Sequence, residues 1–198
     1  MLKYFMTSLI FLTSQSWALE TKRTQNLLKG SLDSKAEIAI LAGGCFWGME
    51  EIIRKIPGVI STDVGYSGGD KGTAKYNKVS SGSTKHAEAV RVYFNPEKLK
   101  FEQLLDYFFR MHNPTTLSQQ GNDKGPQYRS VIFYQNDSQL ADAKKVIQDF
   151  EKRKFWKKPI VTELTKFKSY TLAEEYHQDY LQKNPKGYTC HWLREEKE

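Results

Sequence analysis

The stretch EIAILAGGCFWGMEEIIRKIPG (Glu37–Gly58) changes its hydrophobic period at a cysteine. Before that residue, EIAILAGG is a short β-rich apolar run ending in glycines, the pattern of a buried strand. After it, Met49, Ile52, Ile53 and Ile56 fall at i, i+3, i+4 and i+7, the apolar stripe of a helix that Pro57-Gly58 stops. Cys45 therefore sits where a strand hands over to a helix. Working outward, VISTDVGYSGG (Val59–Gly69) and AEAVRVYF (Ala87–Phe94) read as strands, and FEQLLDYFFRMH (Phe101–His112) has helical period. YRSVIFY (Tyr128–Tyr134) is a further strand, and DSQLADAKKVIQDFEKR (Asp137–Arg153) an amphipathic helix opened by an Asp-Ser cap. Residues Ser67 to Lys85 and His112 to Gln127 read as long irregular segments, a length that in a compact domain marks function or disorder. The order β-α-β-β-α-β-α predicts an α+β fold, a two-layer sandwich with a ferredoxin-like core.

The chain of 198 residues suffices for one ordinary domain. Its 30 Lys+Arg against 23 Asp+Glu give a net charge of +7, but the charges are dispersed. The densest patch, EKRKFWKK (Glu151–Lys158), reads as a solvated helix end and turn rather than a nucleic-acid site. The N-terminus, MLKYFMTSLIFLTSQSWALE, has the layout of a secretory signal: Lys3, an apolar run from Tyr4 to Leu12, and Ser16 and Ala18 at the −3 and −1 positions of a cut after Ala18. That run is too short to span a bilayer, and no stable membrane insertion is expected. Leu19 to Ala36 reads as a flexible lead-in.

Both cysteines, Cys45 and Cys190, lie beyond the signal. In an oxidising compartment such a pair forms a structural staple or a redox couple, and counting does not separate the two. At a helix N-terminus the unpaired N–H groups and the macrodipole favour thiolate over thiol. Gly43 and Gly44 permit close approach to the backbone. Phe46 and Trp47 suit either core packing or an apolar wall for a substrate group. Glu88 shares its strand face with Val90 and Val92, so its carboxyl is buried: paired with a cation, or protonated and able to donate near neutrality. Tyr76, Asp123 and Tyr128 are further polar candidates. Two cysteines and four histidines show no paired short spacing, so no metal and no cofactor is expected.

With GCFWG, GYSGG, the HAEAV strand, GNDKGPQYRS and HQDYLQKNP in this order, the chain resembles the peptide-methionine (S)-S-oxide reductases, the A-type methionine sulfoxide reductases, from about Ile38 to Cys190. The resemblance implies a two-layer domain with a ferredoxin-like core and long irregular segments. It implies that Cys45 attacks the sulfoxide sulfur, that Glu88 protonates the sulfoxide oxygen, and that Tyr76 and Tyr128 hydrogen-bond that oxygen. Asp123 would hold the polar side of the site, and Phe46 and Trp47 the ε-methyl group. Attack leaves a sulfenic acid, which condenses with a thiol; Cys190, in a tail expected to be mobile, is then the resolving residue, and a thioredoxin-like dithiol protein the recycling partner. Substrates would be free and protein-bound methionine-(S)-sulfoxide, on an exported monomer with residues 37–198 as its catalytic domain. Two departures stand out: one C-terminal cysteine followed by His191-Trp192-Leu193, and Lys85 where the family often has glycine, a cation able to favour a charged Glu88. A stapled binding domain and a cysteine hydrolase using His86 or His177 as base are the competing readings.

Overall fold

The computed structural model describes residues 35–195. The expected signal segment, residues 19–34 of the expected lead-in and the last three residues lie outside them. The elements foreseen from the sequence are β1 (Glu37–Gly43), α1 (Phe46–Ile53), β2 (Val59–Ser67), β3 (Ala87–Phe94), and a long helix at Phe101–Met111, followed by a strand at Ser130–Tyr134 and a helix at Asp137–Lys152. Between β2 and β3 lies a short helix, α2 (Tyr76–Ser80), so the long helices are α3 and α4. The strands β4 (Gln119–Gln120) and β5 (Asp123–Lys124) form a small hairpin, which makes the strand at Ser130 β6. Then follow β7 (Glu163–Lys166), β8 (Tyr170–Leu172) and a last short helix, α5 (Tyr180–Lys183).

The main sheet has the order β7-β6-β1-β3-β2-β8. Its inner four strands, β6-β1-β3-β2, are mutually antiparallel neighbours in the ferredoxin-like order. β7 joins one edge in parallel and β8 the other antiparallel. Both edge strands are short and half-buried, which leaves little periodic signal to read in the sequence. The two segments expected to be irregular contain α2 and the β4–β5 hairpin, elements too short to announce themselves. α1 ends at Ile53, one turn before the Pro57 stop, with Ile56 buried in the turn beyond. The cap of α4 is Asn136 rather than Asp-Ser: its side chain accepts the Gln139 N–H at 2.9 Å.

The helices cover one sheet face. Ala39, Leu41, Val64, Val90, Val92 and Ile132 meet Met49 and Ile53 of α1, Leu104, Leu105 and Phe108 of α3, and Val146 and Phe150 of α4. Each fully buried ring or branched side chain stabilises by about 1.5–3 kcal/mol relative to exposure. The opposite face carries Ile40, Ala42, Ala87, Ala89, Val131 and Phe133, packed by Phe167 and Tyr170 from the chain around β8 rather than by helices. Register then brings the functional residues together. Gly43, at the end of β1, faces Ser130 at the start of β6, and Glu88, at the start of β3, faces Tyr66 near the end of β2. One end of the sheet thus opens onto the N-terminus of α1.

Candidate active site

Cys45 precedes the first turn of α1 with φ −55° and ψ 120°, and its side chain caps nothing. It is buried, 7% exposed. Here the structure reverses the helix-terminus expectation. Burial pushes the Cys45 thiol well above its ordinary value, the Glu88 charge pushes it further, and the opposing hydrogen bond from the Trp47 N–H is outweighed. Glu88 lies on the helical face, as the alternation predicts, and is 3% exposed. Its Oε2 accepts the Phe46 N–H at 3.2 Å, so the carboxyl occupies the anion-favouring end of α1. Burial nevertheless dominates: the Glu88 pKa is pushed up to about 8, against the Phe46 N–H and with the help of the Asp123 charge. Two acids thus share one helix end, and near neutrality both are held mainly in their protonated forms.

Tyr76 opens α2, and Tyr128 closes a 3-10 turn, Pro126–Tyr128. Burial raises both phenols, and the charges of Glu88 and Cys45 add to the rise, which places all four groups in one electrostatic neighbourhood of neutral donors. Glu174 holds Tyr76 in place: one oxygen accepts the Tyr76 N–H at 2.9 Å and the other the Tyr66 hydroxyl at 2.8 Å.

Phe46 belongs as much to the core as to the site, with its ring 6.0 Å from Tyr66 and 5.1 Å from His177. Trp47 is stacked on Tyr180 at 3.7 Å, and its indole N–H donates to His177 Nδ1 at 3.1 Å. An indole nitrogen only donates, so His177 Nδ1 carries a lone pair and the neutral ring keeps its proton on Nε2. Burial lowers the His177 pKa and so favours that neutral form. Among the described residues the buried Nε2 atom has no hydrogen-bond partner, a donor left beside the aromatic wall.

The C-terminal segment, residues 188–194, forms a docked strap. His191 is 7% exposed, with Nε2 2.8 Å from the Gly43 carbonyl, and burial lowers its pKa to about 4. A Cβ on Gly48 would overlap Thr189 Oγ1 and His191 Nδ1. Gly44, at φ +106°, leaves room for Gln120 and His191. The close approach that the glycines permit is therefore made by the chain itself. The Cys190 sulfur lies close enough to Cys45 for the Cys45 backbone N–H to lower its pKa, and the Cys190 thiol donates to Asp123 Oδ2 at 3.2 Å. Burial and Asp123 push the Cys190 pKa up to about 12. The Tyr188 hydroxyl sits beside the same two groups, whose charges add to the effect of burial in raising its pKa. The expected mobile tail is thus a strap already seated beside the first cysteine, and both cysteines are free thiols.

The histidines are committed elsewhere. His86 Nε2 lies 2.8 Å from the Asp70 carbonyl, and its Nδ1 accepts the Gly69 N–H at 3.3 Å. Neither His86 nor His177 hydrogen-bonds Cys45, so the structure offers no hydrolase dyad. Among the described residues no group of three or more His, Cys, Asp or Glu is placed to hold a metal ion.

A profile described as peptide methionine sulfoxide reductase matches residues 37–198. The chain belongs to the peptide methionine sulfoxide reductase family. The peptide methionine sulfoxide reductase of Mycolicibacterium paratuberculosis is 51% identical over 156 residues, covering 79% of this chain and 89% of the relative. The crystal structure of Mxr1 from Saccharomyces cerevisiae in reduced form superposes with a TM-score of 0.78 at 39% identity, covering 82% of this chain and 94% of that one. Mxr1 in complex with Trx2 gives a TM-score of 0.57 at 28% identity, covering 82% and 93%. The chain is accordingly an enzyme that reduces methionine sulfoxide.

In this reductase Lys85 is exposed and does not oppose the Glu88 shift, which burial, the Phe46 N–H and Asp123 set. Sequence reasoning missed the side chains that hold the aromatic wall. Gln178 mimics a strand partner: its amide accepts the Val64 N–H at 3.0 Å and donates to the Val64 carbonyl at 2.8 Å. Glu50, 1% exposed, accepts the Asp179 N–H at 3.1 Å and the Thr62 hydroxyl at 3.2 Å. Arg54 ties Glu50, at 3.0 Å, to the Asp179 carboxylate, at 2.7 Å. Burial pushes the Glu50 pKa up to about 7 against the pull of Arg54. The signal available in the sequence was a glutamate between Met49 and Ile53 on the buried side of a short helix. Its partner lies 129 residues away, which no local pattern reveals.

Proposed function

We propose that Cys45 is the nucleophile, Glu88 the acid and Cys190 the resolving thiol of a methionine-(S)-sulfoxide reductase acting on free and protein-bound substrate. The observation that carries this reading is the Glu88 carboxyl on the Phe46 N–H, protonated near neutrality beside a buried thiol. A sulfoxide sulfur becomes an adequate electrophile only when its oxygen is protonated, because a bare oxide does not leave. Glu88 supplies that proton, and Tyr76 and Tyr128, neutral at working pH, hydrogen-bond the oxygen. Phe46 and Trp47 take the methyl group, and His177 and Tyr180 complete that wall. Cys45 sulfur bonds to the substrate sulfur and its thiol proton returns to Glu88; the protonated oxygen then passes to the cysteine sulfur as the substrate's S–O bond and the transient S–S bond break. The thiol and the sulfoxide become a sulfenic acid and a thioether with no net change in protons. Cys190 then attacks the sulfenic sulfur and water leaves, giving a disulfide. Asp123, which accepts the Cys190 S–H at 3.2 Å, takes that proton and hands it to the departing oxygen. A thioredoxin-like dithiol protein returns both cysteines to thiols, a role for which the Mxr1–Trx2 complex is a precedent.

Export as a monomer after cleavage behind Ala18 completes the proposal and is read by N-terminal mass analysis of the mature protein. The deciding experiment is a single-turnover assay: pre-reduced protein, excess methionine-(S)-sulfoxide and no reductant. The expected result is one methionine per chain with loss of both thiols and a Cys45–Cys190 disulfide. One methionine with Cys190 still free removes Cys190 from the cycle. No methionine overturns the assignment of Cys45.

A further inference from the structure

The basic patch EKRKFWKK at the end of α4 does not serve the reductive chemistry, yet it lines a groove of about 750 Å³. Among the described residues, Lys154, Lys157, Lys158 and Arg194 contribute four cations to its rim against the carboxylate of Glu195, with Trp156 in the wall; a fifth, Arg153, is paired with Asp106 at 3.3 Å. Lys154, Lys157 and Lys158 are exposed and make no ion pair among the described residues. The groove is continuous with the strap. The Arg194 guanidinium lies 4.9 Å from the Trp156 ring centroid and 4.1 Å from that of Trp192, two residues beyond Cys190. Trp192 is 59% exposed, Tyr188 43% and Leu193 41%. This surface is fixed rather than loose, because the Arg194 N–H and Nη1 donate to the Arg110 carbonyl at 3.2 and 2.9 Å.

We propose that this strip, from Tyr188, Trp192 and Leu193 into the lysine-lined groove, is the docking surface for the dithiol protein that recycles the enzyme, and that the partner presents carboxylates around its reactive thiols. The inference rests on the cycle proposed above and adds where the reductant binds and which charge it carries. Cys45 is buried and Cys190 half-buried, so Cys190 offers the reachable sulfur of the disulfide. A partner thiolate attacks it, and Cys45 leaves as a thiolate that takes up a proton. The second partner thiol then breaks the mixed disulfide, releasing the Cys190 thiol and oxidising the partner to its own disulfide. The groove lies beside the C-terminal ends of α3 and α4, whereas the substrate wall is built by α1, α2 and α5. A dithiol protein seated there reaches Cys190 without crossing the substrate wall. The exposed Lys154, Lys157 and Lys158, with no ion pair among the described residues, favour an acidic partner, and apolar side chains nearest the sulfur suit the dry contact that thiol exchange needs.

The test compares wild type with the triple variant Lys154→Glu, Lys157→Glu, Lys158→Glu. Recycling is driven either by a bacterial thioredoxin or by dithiothreitol. The expected result is a KM for thioredoxin raised roughly tenfold or more, with loss of the wild-type salt dependence of kcat/KM. Turnover with dithiothreitol and the single-turnover methionine yield should stay at wild-type values. Trp192→Ala should raise the thioredoxin KM independently of salt. An unchanged thioredoxin KM in both variants overturns the proposal. So does a triple variant whose KM rises only for acidic sulfoxide peptides, which would assign the groove to clients. Failure of the wild-type enzyme to form methionine even with dithiothreitol would instead refute the underlying cycle, and is read separately.

Discussion

The two cysteines are held in opposite ways. Cys45 is positioned by the backbone: a strand ends, two glycines turn the chain, and a helix begins. Cys190 lies in a segment with no regular structure and is positioned by side chains, namely His191 on the Gly43 carbonyl, Thr189 and His191 against Gly48, and the Asp123 carboxylate on its thiol. The first arrangement is written within a dozen residues. The second draws on the turn around Gly43 and on Asp123, 148 and 67 residues from their partners in the strap. A local motif can thus place a nucleophile, while its redox partner is placed by the completed tertiary structure.

Substitutions break this contrast in descending order of effect. Cys45→Ser should abolish methionine formation altogether, because serine is a far weaker nucleophile toward sulfur; residual turnover in a single-turnover assay would deny Cys45 its role. Glu88→Gln keeps the shape of the side chain but removes the acid, and the reductive step should slow by about 10²–10⁴-fold in rapid-quench measurements. In wild type that step should fall as pH rises through about 8, where Glu88 loses its proton, and the glutamine variant should lack this alkaline limb. The same shift has a consequence for stability. The Glu88 pKa is raised from 4.5, so its contribution is fully present below pH 4.5 and lost as pH rises through about 8. Denaturant titrations of the variant should show a flatter profile over that window.

Gly48→Ala separates the two modes of placement. The added methyl displaces the strap but leaves the Cys45 turn intact. Methionine should still form at the wild-type rate, while disulfide formation slows about 10- to 100-fold, followed by loss of free thiols. Equal slowing of both steps would mean that strap and turn act as one unit. The smallest effect is expected from Glu50→Gln, which keeps the clamp's shape and loses its ion pair with Arg54. The KM for sulfoxide should rise about fivefold, equivalent to ~1 kcal/mol, with kcat unchanged. A fall in kcat instead would place the clamp in the chemistry rather than in the wall.

The legible part of the molecule follows the same division. The core βαββαβ order and the burial of Glu88 were readable because period 2 and period 3.6 are properties of short segments, and the reading of Cys45, Glu88, Tyr76, Tyr128, Asp123, Phe46 and Trp47 as one site rested on contiguous motifs. β7 and β8 were not readable, being three- and four-residue edges with no alternation of their own. The protonation state of Cys45 was misjudged for a different reason. The helix end was visible in the sequence, but the depth of burial and the rival carboxyl on the neighbouring Phe46 N–H are not local quantities. His177, Tyr180, Gln120 and the Glu50–Arg54–Asp179 clamp likewise acquire their roles only when distant strands and loops close on α1.

The seating of Cys190 against the Cys45 backbone also bears on survival under the conditions in which such an enzyme works. A sulfenic acid left open to peroxide climbs to sulfinic and sulfonic acids, which thiols do not reverse. In the proposed cycle the oxidised sulfur meets a capturing thiol already docked beside it, with no wait for a tail to arrive from solvent. On that cycle the strap would act as a fuse against overoxidation, converting the vulnerable intermediate into a disulfide before a second oxidant molecule reaches it.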